Sequence, residues 1–405
     1  MKIFFKSLML ISVCLGLSAT VNAKTFRYAT TGDILGLDPH ANNEGPTNTM
    51  KGNIYGRMLH RKADLSLEPD LATKWEKLDA NTWRFSLRRG VKFHNGNDFN
   101  ADDVLFSYKR QTQEASDMSF ALATIKQINK VDDYTVDLIT KGPDPILLLN
   151  MPMFYIVDKE WIEANNAFEV VRASGSTNFA NVNTNGTGPF KVVEWIQDTR
   201  IVLEPFEGYW GKNQIQHNLT KAVFTPISND ATRVAALLSG EIDLMYPVPL
   251  QDVKRLNNDP NTEALEGPEL RTIFLGYDQW RNESLDMPGS GKNPFKDKRV
   301  RQAFHHAINI NAIKRVVMRN AATPTGLMIA PGINGFQKDM NNRVSYDPDA
   351  AKKLLADAGY PNGFPVTFDC PNDRYVNDEE ICTAVIPMLE RVGIKVTPNF
   401  QTKSK

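Results

Sequence analysis

The pattern of apolar and polar positions changes repeatedly along the chain between the period of a strand and that of a helix. Short runs rich in β-branched and aromatic residues predict strands. These runs cover residues 25–29, 81–87, 134–139, 191–193, 242–246 and 365–368. Strands that alternate with helices along the sequence indicate an α/β protein.

Capping residues predict where the helices between these strands begin and end. Helices are predicted to begin at Asn100, Asn229 and Asp347, and a last helix is predicted over 378–392. Asn100 and Asp103 have the spacing of a capping box. Gly240 and Gly359 are natural helix ends, because glycine readily adopts the left-handed conformation there. Pro387 lies inside the last helix and is expected to kink it.

The first 23 residues have the pattern of a cleavable export signal. Lys2 and Lys6 precede an apolar run at 8–17, and the small residues Val21 and Ala23 follow. The run is shorter than the ~20 residues that cross a bilayer. We therefore expect a signal peptide at 1–23 and an exported mature chain that begins at Lys24.

Composition narrows the function classes. The chain of 405 residues has 47 basic and 47 acidic residues, so it lacks the positive excess of nucleic-acid-binding domains and no nucleic-acid partner is expected. Its six His show no zinc motif, and no Gly-x-Ser-x-Gly elbow occurs. The glycine turn at 186–190 lacks the remaining residues of a phosphate or dinucleotide loop. No metal, cofactor or catalytic residue is predicted.

Two cysteines remain in the mature chain, Cys370 and Cys382. In an oxidising compartment two such cysteines usually pair. The disulfide would join the end of the strand at 365–368 to the helix that follows. Two free buried thiols are the alternative, and a reactive thiol is disfavoured because no neighbouring residue suggests a base.

Arg374 is a candidate for ligand binding. It lies in the loop 372–375, between a predicted strand and a predicted helix, and such loops bind ligands in α/β sheets. The planar guanidinium group can bind a carboxylate through two parallel hydrogen bonds. The alternative is a local ion pair with Asp373, Asp378 or Glu379.

A series of sequence blocks resembles a known family. The blocks are LATKWE at 71–76, TWRFSLRRGVKFHNG at 82–96, FNADDV at 99–104, LDPH at 37–40, NGTGPF at 185–190, LSGEID at 238–243, PFKDKRVRQA at 294–303 and DPDAAKKLLADAG at 347–359. They resemble the extracellular solute-binding proteins of family 5, the dipeptide-, oligopeptide- and nickel-binding receptors of bacterial ABC importers. The resemblance covers the whole mature chain.

The resemblance implies a two-lobed periplasmic-binding-protein fold of type II, with an extra subdomain, that closes over a ligand between its lobes. Lobe I would comprise 24–67 and 183–267, the extra subdomain 68–182, and an incomplete lobe II 268–405. Relatives continue beyond the position that corresponds to residue 405. We therefore expect a missing C-terminal segment, which in relatives includes the acidic residue that holds a peptide's ammonium group.

The resemblance also implies site residues. Arg374 stands where an arginine of dipeptide-binding relatives pairs with the peptide carboxylate. Residues of a lobe I loop, of the Arg374 loop and of a possible apolar wall are further candidates: Asn43, Glu44, Gly45, Asn372, Tyr375 and Trp280. For Trp280 and Tyr375, packing in the core is the alternative.

The function implied is that of a receptor in the periplasm of a Gram-negative bacterium, without catalysis or cofactor. It would bind small peptides as a monomer and deliver them to the permease and ATPase of an inner-membrane ABC importer. A nickel chelate, haem, glutathione or a sugar are alternative ligands, although the absence of a His cluster argues against direct metal ligation. A secreted peptidase or other hydrolase and a folding-defective fragment without activity are the alternatives of other classes.

Overall fold

The structure, a computed structural model, describes residues 24–172, 177–214, 217–267 and 269–402. The predicted signal peptide, residues 1–23, lies outside the described residues. Across the described ranges, no helix combines the length and the apolar character that a membrane span requires. Strands and helices are mixed along the chain, as the sequence pattern predicts.

The strands and helices are numbered here in chain order. Strands β1 to β13 are Lys24–Thr30, Leu59–Arg61, Leu67–Pro69, Ala72–Lys77, Thr82–Leu87, Ile125–Asp132, Thr135–Thr140, Phe190–Ile196, Arg200–Pro205, Leu219–Pro226, Leu244–Met245, Pro365–Pro371 and Lys395–Gln401. Helices α1 to α11 are Gly45–Ile54, Ala101–Gln111, Leu147–Asn150, Lys159–Ala164, Phe179–Val182, Asp230–Leu238, Val253–Asn258, Lys298–Ala307, Ile310–Ala312, Pro348–Asp357 and Asp378–Glu390.

Most predicted elements are confirmed. The strands at 25–29, 81–87, 134–139, 191–193 and 365–368 form as β1, β5, β7, β8 and β12, and the four helices form as α2, α6, α10 and α11. The capping box of Asn100 and Asp103 is present at the start of α2. Helix α11 continues through Pro387, and the expected kink stays a prediction.

The strand predicted at 242–246 is shorter than expected. Only Leu244 and Met245 pair, in parallel with Tyr28 and Ala29 of β1. The amides of Glu241 and Ile242 donate instead to the carbonyl of Ala236 in the last turns of α6. Residues just before the strand therefore satisfy the helix end, while the amides of Asp243 and Tyr246, on either side of the pair, donate to the carbonyls of Arg27 and Ala29 in β1.

The described strands form sheets of mixed type. A five-stranded sheet has the order β11-β1-β10-β9-β8, and a four-stranded antiparallel sheet has the order β4-β5-β7-β6. Strands β2 and β3 form an antiparallel pair, and β12 and β13 a parallel pair. The parallel pair runs in register from Pro365 opposite Lys395 to Pro371 opposite Gln401.

The chain divides into two compact units. One consists of the described residues of Met1–Phe26 and Ile34–Phe224, here called the N-unit. The other consists of the described residues of Arg27–Asp33 and Thr225–Lys405, here called the C-unit. This division places 225–267 in the C-unit, whereas the sequence prediction assigns them to lobe I. The lobe boundaries stay a prediction.

Each unit has its own apolar core. In the N-unit, α2 and the four-stranded sheet bury Phe85, Val104 and Leu138 completely. In the C-unit, α8, α10 and α11 pack with β12 around Phe304, Leu355 and other apolar residues. Burial of apolar area at about 25 cal/mol per Å² is the main stabilising term for both cores.

The glycine turn at 186–190 serves close packing. A Cβ atom at Gly186 or Gly188 would collide with the backbone carbonyl of Ile54 at the end of α1. The amide of Gly188 donates to that same carbonyl at 2.8 Å. Glycine is therefore required here because two backbone segments touch. This packing role agrees with the sequence analysis, in which the turn lacks the other residues of a phosphate loop.

Candidate functional site

The loop that carries Arg374 is tied at both ends. It leaves β12 after Pro371 and enters α11 at Asp378. A disulfide joins Cys370 on β12 to Cys382 on α11, with their Cα atoms 6.4 Å apart. Both cysteines are buried. The loop is thus closed by a covalent bond that spans 12 residues, which limits how far its ends can separate.

One buried carboxylate sets the shape of the loop. The Oδ2 atom of Asp378 accepts hydrogen bonds from the amides of Arg374 and Tyr375, at 2.9 and 3.0 Å. Asn377 adopts the left-handed conformation, and its side chain donates to the carbonyl of Val317 at 2.9 Å. A carboxylate in the first turn of a helix also interacts favourably with the helix dipole. Asp378, predicted as a possible ion-pair partner of the Arg374 guanidinium, therefore binds backbone amides instead.

The Arg374 side chain itself is exposed, as is that of Asn372. The Cζ atom of Arg374 lies 5.2 Å from the centroid of the Tyr375 ring. Tyr375 is half-buried. The guanidinium group is therefore accessible to a solute while it contacts an aromatic face.

A second arginine contacts the same ring. The Cζ atom of Arg271 lies 5.1 Å from the centroid of Tyr375, and its Nε forms an ion pair with Glu269 at 2.7 Å. Arg271 was missed in the sequence because it lies far from Arg374 along the chain, in a segment without regular structure. No local pattern connects the two residues.

Asn43, Glu44 and Gly45 lie at the start of α1. The Glu44 carboxylate caps this helix by accepting from the Thr47 amide at 3.0 Å and from its hydroxyl at 2.7 Å. Asn43 accepts from the side-chain amide of Asn48 at 2.8 Å. Gly45 is the first helical residue. The polar side chains of this loop are thus engaged within the N-unit, which fixes the loop's conformation.

A fully buried ion pair lies next to this loop in the chain. Arg110 of α2 donates two hydrogen bonds to Asp38, at 2.8 and 2.6 Å, and both side chains are completely buried. Burial alone would raise the pKa of Asp38, but Arg110 lowers it overall. Arg110 also donates to Nδ1 of His40 at 3.1 Å, and His40 Nε2 lies 2.9 Å from the carbonyl of Tyr155. These contacts fix Nε2 as the donor nitrogen, and burial lowers the pKa of His40 to about 3.

A buried lysine reaches the same loop from α1. The Nζ atom of Lys51 donates to the carbonyl of Asn42 and approaches Oδ1 of Asn48 at 3.4 Å. Burial lowers the pKa of Lys51 to about 8. Asp38 and His40 were noted in the sequence only as part of the LDPH block. Arg110 and Lys51 were missed, because burial of a charged side chain inside a helix leaves no distinctive pattern.

Trp280 does not pack in a core. Its exposed fraction is 86%, so the alternative of core packing is wrong for this residue. Its amide donates to Asp278 Oδ1 at 3.2 Å. The side chain of Asn293 holds the same turn by donating to the carbonyls of Asp278 and Arg281. Trp280 thus presents its indole to solvent from a turn with defined backbone contacts.

One group of carboxylates has the spacing of metal ligands. Oxygens of Asp103, Asp158 and Glu160 lie within 4.8 Å of one another. Three side-chain amides donate to Asp158 Oδ2 at 2.8 to 2.9 Å, those of Asn95, Asn97 and Asn185. Asp103 accepts from the amides of Asn100 and Lys159, and burial raises its pKa to about 7. Asp103 and Asp158 thus already have hydrogen-bond donors, and we assign no metal to this group.

Comparison with known proteins gives consistent matches. The model of the family "Bacterial extracellular solute-binding proteins, family 5 Middle" matches residues 66–405. The dipeptide-binding protein of Escherichia coli (strain K12) is 32% identical over 380 residues, which cover 87% of this chain and 67% of that protein. Heme-binding protein A of Haemophilus influenzae is 30% identical, over 92% of this chain and 70% of its own length.

Solved structures agree with these matches. A periplasmic binding protein of Helicobacter pylori, associated with an ABC transporter and in complex with the peptide STSA, has a TM-score of 0.80 and 29% identity. The match covers 94% of this chain and 74% of that one. The oligopeptide-binding protein AppA of Bacillus subtilis, 21% identical with a TM-score of 0.81, supports the fold. The predicted fold class, a periplasmic binding protein of type II, is confirmed, and the alternative of a secreted hydrolase is wrong because the matched proteins are binding receptors.

Proposed function

The chain belongs to the bacterial extracellular solute-binding proteins of family 5, and from this premise we propose that it captures di- or oligopeptides for an ABC importer. The exposed guanidinium of Arg374, in a loop held by Asp378 and a disulfide, carries this proposal. The similarity to a dipeptide-binding protein and to a receptor in complex with the peptide STSA supports it.

Arg374 would bind the terminal carboxylate of the peptide. A guanidinium group and a carboxylate can form two parallel, charge-assisted hydrogen bonds, and a hydrogen bond to a charged group contributes about 1.5–3 kcal/mol. The backbone of the loop is already fixed, so little of this energy is lost in ordering it. Side chains of the peptide would then need only roomy, hydrated pockets, which gives broad specificity.

Location and partners complete the proposal. The predicted signal peptide at 1–23 would direct the chain to the periplasm. There a monomeric receptor would deliver its peptide to the permease and ATPase of an inner-membrane importer. Asn43, Glu44, Gly45, Asn372, Tyr375 and Trp280 remain proposed contributors to ligand binding.

Calorimetric titration with a dipeptide and with its C-terminal amide tests the proposal. We expect the purified protein to bind the acid more tightly than the amide, and Arg374→Ala to weaken acid binding by more than tenfold. Arg255→Ala is a matched control, because Arg255 is an exposed, ion-paired arginine of the same unit. Unchanged acid affinity in Arg374→Ala would remove the anchor assignment.

Haem and reduced glutathione are titrated in parallel, because similar proteins are named for binding them. Binding of either compound without any peptide binding would replace peptides as the proposed ligand. Peptide binding with weak or no haem binding would support the proposal.

A further inference from the structure

We propose that Arg271 is a positioning residue that holds the guanidinium of Arg374 in place through the ring of Tyr375. The proposal rests on the proposed function, since it concerns how strictly the receptor requires a terminal carboxylate. It assigns a role to Arg271, which does not itself contact the peptide.

Tyr375 is contacted by two guanidinium groups. Arg271 and Arg374 lie over its ring, at 5.1 and 5.2 Å from the centroid. In the other cation–π pairs of the described residues, each ring has a single cation. The aromatic face attracts a cation at such distances. Contacts with two cations restrict the tilt of the Tyr375 ring more than one contact does.

The backbone of Tyr375 is fixed as well. Its amide and that of Arg374 share the Oδ2 atom of Asp378. The main chain and the ring are thus held by different partners, Asp378 and Arg271. A ring held in this way offers Arg374 a defined surface on which to lie.

An ion pair with Glu269 distinguishes Arg271 from Arg374. The Glu269 carboxylate lies 2.7 Å from Nε of Arg271 and offsets its charge. The pair carries no net charge toward an incoming carboxylate. In Arg374, by contrast, it is the backbone amide that donates to Asp378, and the exposed side chain is available to a solute.

Positioning matters because a free arginine side chain has many rotamers. An exposed arginine loses much of this freedom when it binds a carboxylate. Contact with a fixed ring removes part of the freedom beforehand, which favours binding. Loss of Arg271 should therefore weaken carboxylate recognition and leave recognition of the rest of the peptide unchanged.

The measurement is the ratio of dissociation constants for a dipeptide amide and the corresponding acid. We expect Arg271→Gln to reduce this ratio by about two- to fivefold, the effect of one exposed cation–π contact, with little change in amide affinity. Tyr375→Leu should reduce the ratio similarly or more, whereas Tyr375→Phe retains the ring and should preserve it. Arg255→Ala is again the control.

The outcomes separate this inference from the proposed function. If wild type does not discriminate acid from amide, the Arg374 anchor fails and the inference with it. If wild type discriminates and Arg374→Ala abolishes this, but Arg271→Gln keeps the full ratio, the inference is overturned and the anchor stands. Equal weakening of acid and amide by Arg271→Gln, or loss of the ratio in Tyr375→Phe, would also overturn it. Thermal unfolding verifies that each variant is folded.

Discussion

The loops at 38–45 and 372–377 are fixed in opposite ways. The first, in the N-unit, is held by charged groups removed from water, above all the Asp38–Arg110 pair, and by the cap formed by Glu44. The second, in the C-unit, is held by amides that share Asp378, by a disulfide and by cation–π contacts near the surface. The first uses its charged side chains to build structure, whereas the second leaves a guanidinium exposed.

The comparison distinguishes charged side chains that hold a loop rigid from a charged side chain that is available to a solute. A buried charged side chain is compatible with the folded state only while its partner is present, because neither group can reach water unless the protein unfolds. An exposed charge contributes little to stability but can bind a solute. Substitutions in the first loop's network should therefore affect folding, and those in the second loop should affect binding more than folding.

Removal of Arg110 gives the largest expected effect. Arg110→Ala leaves the Asp38 carboxylate buried without its cation, and loss of one partner of a buried pair costs about 3–5 kcal/mol. Urea unfolding combined with hydrogen exchange should show the loss in the N-unit. Arg84→Ala removes a partner of the more exposed pair with Asp137 and should cause a much smaller loss. Equal losses of stability in Arg110→Ala and Arg84→Ala would contradict the distinction between buried and exposed charges.

Removal of the disulfide should have the next largest effect. A cross-link that closes a loop of ~15 residues stabilises by about 3 kcal/mol, and the separation here is 12 residues. We expect Cys370→Ser with Cys382→Ser to lower the free energy of unfolding of the C-unit by a similar amount. Reductant should destabilise wild type and leave the double variant unchanged; a wild type insensitive to reductant would contradict this.

Acid should weaken the first loop through His40. Burial lowers the pKa of His40 to about 3, whereas the unfolded chain binds this proton near pH 6.5. The unfolded state therefore binds more protons between these values, and the free energy of unfolding falls as pH decreases through this window. The slope from this group approaches about 1.4 kcal/mol per pH unit.

Urea unfolding at several pH values, with two variants, checks the assignment to His40. His40→Gln should reduce the slope between pH 6.5 and 4, and His94, whose pKa burial lowers to about 4, should account for part of the slope that remains. His217→Gln, at an exposed histidine, is the control substitution. An unchanged slope in His40→Gln would assign the acid sensitivity to other groups.

Trp280 should give the smallest change in stability. Because 86% of the side chain is exposed, we expect Trp280→Ala to change the free energy of unfolding by less than about 0.5 kcal/mol. If Trp280 contacts peptides as proposed, affinity for a peptide with an apolar side chain should nevertheless fall. Leu285→Ala, at another exposed apolar residue, is the control and should leave the affinity for this peptide unchanged. A large loss of stability would show that Trp280 supports the fold.

Local patterns predicted a large part of the fold. The capping residues Asn100, Asn229 and Asp347 mark helix starts because they satisfy amides a few residues away. Strand lengths were less predictable. The strand at Leu244–Met245 begins later than predicted because the amides of Glu241 and Ile242 donate to the end of α6.

The candidate site was predictable only where it is local in sequence. Arg374 and Tyr375 lie between a recognisable strand and a recognisable helix, and the family resemblance marks the same place. The sequence suggested Asp378 as an ion-pair partner of Arg374, but its carboxylate accepts two backbone amides. Which donors a carboxylate meets depends on the path of the loop, which a sequence pattern does not specify.

The α/β class, the family, the helix starts and the place of Arg374 between a strand and a helix follow from the sequence alone, because each depends on neighbouring residues or on long ordered motifs. Only the tertiary structure brought Arg110 to Asp38 and Arg271 to Tyr375. Such contacts join residues far apart in the chain, and their energies depend on burial and on distances of a few ångströms. Burial and distance arise only when the chain is folded.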